Sequence, residues 1–82
     1  MSIGELRAAL AGVGGLTAEA RGHVQAAAGL LAEAAGMLAD LARQSGAALP
    51  AAEFAQVQED TEALVRTLDA TGDAVADLGD RL

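Results

Sequence analysis

His23 is the only imidazole in this 82-residue chain, and cysteine is absent. An imidazole can ligate a metal or act as a general base. A di-iron helical site requires a glutamate three residues before such a histidine, and that position holds Ala20. The carboxylates Glu59, Asp60, Glu62, Asp69, Asp73, Asp77 and Asp80 carry the charge to attract Ca²⁺, but they lack the glycine-containing loop of an EF-hand. They read as a solvated face, with Glu62 placed to pair with Arg66 one turn on. Ser2 and Ser45 fall at a helix start and a turn, and there is no lysine. The glycines of "GVGG", residues 12–15, follow no strand and lack the phosphate-loop lysine. His23 reads as a boundary residue. No catalytic, cofactor or metal site is expected, and the chain reads as a non-enzyme.

What remains is shape. One small domain spanning 1–82 is expected. It holds 22 alanines, 10 glycines and one aromatic residue, Phe54, with arginine as its only basic residue. That bias points to a GC-rich, actinobacterial gene. The net charge of −7 is uneven, with −1 on residues 1–46 and −6 on residues 47–82. Without a basic patch to neutralise phosphates, no nucleic-acid partner is expected. The uncharged run Gly22 to Ala32 falls short of the roughly 20 residues of a membrane span, so no transmembrane segment is expected. The opening "MSIGELRAAL" shows no basic leader or cleavage site. The expected location is cytoplasmic, or outside after export without a cleaved signal peptide.

The spacing predicts an all-α fold, an antiparallel two-helix hairpin with helices over about 3–44 and 50–81. Apolar or small residues recur at 3, 6, 10, 13, 17, 20, 24, 27, 31, 34, 38 and 41, a heptad seam. The second helix repeats it at 54, 57, 61, 64, 68, 71, 75, 78 and 82. Ser2 with Glu5 forms a capping box, Gly46 is a left-handed stop, and Pro50 after the linker "SGAALP" suits a first helical turn. "GVGG" offers a break at which Thr17 would cap a new helix, but the unbroken heptad favours a continuous one. Setting Leu41 against Phe54 fixes an index sum of 95, so that Ala20 meets Val75 and Val13 meets Leu82.

In that register Ile3, Leu6 and Leu10 have no partner, and Leu16, Leu30 and Met37 lie beside the seam. A stripe this wide is a bundle pattern, and a chain this small rarely stabilises itself on one thin core. The expected solution is self-association into a four-helix bundle, a homo-oligomer, or pairing with a helical protein partner. Gly15, Gly22, Gly29 and Gly36 repeat every seven residues opposite the seam. Gly22, Gly29 and Gly36 are candidate interface residues if removing Cβ atoms lets another helix approach closely. Compositional drift is the alternative, at a cost of roughly 1 kcal/mol per glycine.

A hairpin of this size resembles the ESAT-6-like (WXG100) proteins of type VII secretion and the hairpin modules of actinobacterial secreted toxins. The family's Trp-x-Gly turn corresponds here to Gln44, Ser45 and Gly46, of which the glycine is shared, and no tyrosine supplies its C-terminal export motif. The resemblance implies helical pairing beside a secreted partner. The alternative function is an amphipathic protein coating a lipid or polymer body, although the basic polar face of such helices is missing.

Overall fold

Ser2 sits in extended backbone, φ −76° and ψ 163°, and its hydroxyl oxygen accepts the Glu5 N–H at 3.0 Å. That cap satisfies one of the N–H groups that every helix start leaves unpaired. Helix α1 then runs Ile3–Ser45 and stops at Gly46, whose φ of 67° is left-handed and whose N–H donates to the Ala42 carbonyl at 2.9 Å. Glycine adopts that conformation without the penalty a Cβ imposes. The computed structural model describes residues 1–46 and 50–82; the middle of the expected "SGAALP" linker, residues 47–49, lies outside the described residues. Helix α2 runs Ala51–Asp80, preceded by Pro50 as its cap residue.

The possible break at "GVGG" does not occur. Thr17, the residue that would cap a new helix, instead donates its hydroxyl to the Val13 carbonyl at 2.8 Å inside continuous helix. The same i→i−4 bond is made on α2 by Thr61 to Val57, Thr67 to Ala63 and Thr71 to Thr67, at 2.7, 3.1 and 2.8 Å.

Two helices pack into an antiparallel hairpin 64 Å long and 15 by 14 Å across. The expected all-α hairpin is present, but its register and its seam differ from the sequence reading. A methyl group placed on Gly14 would touch Val75 at 4.0 Å, and one placed on Gly72 would touch Thr17 at 3.9 Å. Both contacts keep an index sum of 89 rather than 95. Val75, expected against Ala20, sits six residues nearer the start of α1. Leu82 is then level with Arg7, so the overhang shrinks to the first residues of α1.

The helices are also rotated. Half-buried positions on α1 run Leu10, Gly14, Thr17, Arg21, Val24, Ala28, Leu31, Ala35, Leu38 and Ala42, with Ala34 beside them. On α2 they are Phe54, Gln58, Thr61, Val65, Leu68, Gly72, Val75, Gly79 and Leu82. Half of each expected column is kept, while the other half moves on by one residue. Gly14, Arg21, Ala28 and Ala42 replace Val13, Ala20, Ala27 and Leu41 at the contact, Ala35 joins Ala34, and Gly72 and Gly79 replace Thr71 and Leu78. Val75 and Thr17 seat over the glycines of the facing helix, and Arg21 pairs with Asp69 across the contact. The ion pairs formed among the described residues are this one and Arg43 with Asp40, not Glu62 with Arg66. None of the described residues is fully buried.

The expected absence of a transmembrane segment is corrected. Helix α1 is long and apolar enough to cross a membrane, by length and composition. Counting only strictly uncharged residues missed this, because Glu33 is the single charge between Arg21 and Asp40. One acid does not cancel the apolar weight of the leucines, valine and alanines around it.

Candidate interaction surface

Leu16, Leu30 and Met37 point away from α2 and are 68%, 67% and 67% exposed. At 100° per residue they stand on one side of α1, next to Val13 and Leu41, which the rotation has turned out of the seam. On α2 the same rotation exposes Val57, Leu64 and Leu78. Both sets lie on one flank of the hairpin. The opposite flank is fixed by clefts shared between helices: Ala11 and Ala76 line one, and Ala18 and Asp69 line the next. Those residues come one position after the shared seam residues Leu10, Thr17, Val75 and Leu68. Positions one step before the other seam residues therefore face the other way on both helices. The outcome is a large-residue flank and an opposite flank of small residues on α1 and acidic ones on α2, where Glu62, Asp69 and Asp73 lie.

The large-residue flank carries no charge on α1. Its inner column is Leu6, Val13, Ala20, Ala27, Ala34 and Leu41, and its outer column is Ala9, Leu16, His23, Leu30 and Met37. On α2 the inner column Val57, Leu64, Thr71 and Leu78 is uncharged as well. A shallow apolar groove runs along that helix beside Thr67, Thr71, Ala74 and Leu78. Ionic groups reach this flank only on the outer column of α2, as Glu53 and Asp60 near the turn and Arg81 near the open end. Scattered apolar surface is ordinary, and a contiguous uncharged strip is a candidate contact surface for protein or lipid.

The remaining candidate residues fall elsewhere. Ile3 is 59% exposed on the overhang. Leu10 is corrected from bare to half-buried, because it lines a cleft of about 320 Å³ with Gly14, Gly72, Val75 and Gly79. Gly22, Gly29 and Gly36 lie toward the small-residue flank, where an added methyl group would meet no atom within 4 Å. The structure does not bring them together with Leu16, Leu30 and Met37. Sequence reasoning missed Val13, Leu41, Val57, Leu64 and Leu78 as surface residues because it spent them on the seam. The overlooked signal was the parallel column of small residues, Gly14 to Ala42, available for the same job.

Among the described residues no three His, Cys, Asp or Glu side chains converge as a metal would require. His23 stands exposed in the outer column of α1, one turn after Glu19. No protein-family model, curated protein or solved structure matches the chain.

Proposed function

We propose that this chain is a non-enzymatic helical pairing module, whose large-residue flank closes on further helices in a four-helix bundle. Those helices come from a second copy or from a helical protein partner. One observation carries the reading: no described residue is fully buried, while nine large apolar side chains share one flank. Ordering a residue costs on the order of 1.5 kcal/mol, and a half-buried seam diluted by Gly and Ala removes little apolar surface from water. Docking the flank supplies the missing burial. The hairpin shape and the glycine-ended turn fit a role beside a type VII-secreted partner in an actinobacterium, in the cytoplasm or after export without a cleaved leader.

The deciding measurement is mass in solution by light scattering, alone and with a co-expressed helical protein encoded beside it. A defined helical oligomer or complex supports pairing. A well-folded monomer that joins neither itself nor a neighbour sinks the reading. The apolar length of α1 favours a second reading, the coating of a lipid or polymer surface. Helicity that appears only on adding neutral vesicles would select it.

A further inference from the structure

We infer that the occupant of the large-residue flank is a second copy of this chain, lying in the opposite direction across a twofold axis near His23 and Thr67. The inference rests on the pairing-module reading and names its partner. The flank runs about 50 Å from Leu6 to Leu41 at 1.5 Å per residue and the hairpin is 15 Å wide. That gives roughly 750 Å² per copy, close to the ~800 Å² per partner of a stable interface.

Charge selects the direction. A reversed copy sets α1 beside α1 and α2 beside α2. On α2 the register that brings Glu53 to the copy's Arg81, once at each end, also brings Val57 within one residue of Leu78 and Leu64 within one residue of Thr71, with Thr67 on the axis. On α1 a reversal about His23 sets Leu16 against Leu30 and Ala9 against Met37. In the observed hairpin register Thr67 is level with residue 22, so the two axes agree to within about 3 Å. A copy running in the same direction would instead put α2 beside the other chain's α1. Glu53 would then be level with residue 36 and Asp60 with residue 29, pressing carboxylates onto Met37 and Leu30. Burying an unpaired carboxylate is costly. In the reversed copy Glu53 meets Arg81, and only Asp60, whose carboxylate accepts the Gln56 side-chain amide at 3.0 Å, stands beside an apolar residue, Ala74.

The natural chain has no cysteine, so single cysteines report geometry cleanly. His23→Cys, oxidised with diamide, is expected to give a disulfide-linked dimer, because residue 23 faces its own copy. Glu53→Arg and Arg81→Glu should each weaken dimerisation about three- to fivefold, and the double substitution should restore it. A dimer that His23→Cys does not link, but that a Met37→Cys and Glu53→Cys pair does, overturns the reversed direction and leaves the pairing module standing. A chain that stays single at millimolar concentration and folds only with a neighbouring protein overturns the second copy and again spares the module. A folded monomer indifferent to every helical partner defeats both.

Discussion

The two flanks of the hairpin are made from one repeat, yet they offer opposite surfaces. One presents Leu16, Leu30, Met37 and Leu64 to solvent; the other presents Gly22, Gly29, Gly36 and the alanines of α1. Half of the seam, including Gly14, Ala28, Ala42, Gly72 and Gly79, is drawn from small columns, which leaves Val13, Leu41 and Leu78 outside. A hairpin built for solitary stability would bury its leucines and expose its glycines. This one sets Val75 over Gly14 and Thr17 over Gly72 and holds much of its oil in reserve.

The contrast breaks most sharply if the large-residue flank is charged. Leu16→Asp with Leu30→Asp should weaken association by 100-fold or more, since each places a carboxylate in a contact where truncation alone costs about 2 kcal/mol. Sedimentation across a concentration series reads this. The same two changes, if they leave the oligomer intact, assign the contact to the other flank. Next in size is the opposite manipulation. Replacing Gly22, Gly29 and Gly36 with alanine should stabilise the helix by about 2–3 kcal/mol in all, because the added methyl groups meet open space. Thermal melts should rise while the oligomer mass holds; a lost oligomer would show that the small-residue flank is the docking side.

A smaller effect belongs to neither flank and calibrates both. Ser2→Ala should cost about 1 kcal/mol by removing the oxygen that accepts the Glu5 N–H. Circular dichroism should show the loss as fraying of the first turns of α1. Smallest of all is Asp69→Asn. It weakens the cross-helix pair with Arg21, whose side chains are 38% and 48% exposed, so the cost should stay under about 1 kcal/mol and fade with salt.

Local features of this fold were legible in the residues, and long-range ones were not. Ser2 and Gly46 mark helix ends through chemistry confined to one turn: the Ser2 hydroxyl accepts the Glu5 N–H, and Gly46 takes the left-handed stop. The register depends on residues as distant in the chain as Gly14 and Val75, and a heptad repeats its offer every seven. Anchoring Leu41 on Phe54 assumed that the largest side chains must touch. In the observed contact Val75 meets Gly14 and Thr17 meets Gly72 instead, so that larger side chains seat on glycines of the facing helix. For the same reason Leu16, Leu30 and Met37 were readable as lying outside the seam, while Val13 and Leu41 were not. Leu10 was misplaced by the register error alone. The apolar reach of α1 was hidden by Glu33, a single acid that interrupts a count without changing the character of the segment.

The threonines of α2 have one more consequence. Thr67 and Thr71 stand on the outward side with their hydroxyls already donated to Ala63 and Thr67 of their own helix, at 3.1 and 2.8 Å. An alcohol that has spent its proton at home gives up little when the film of water over it is squeezed out. These residues can enter a dry seal as blunt, methyl-bearing wedges, and their hydroxyls ask no acceptor of whatever closes over them.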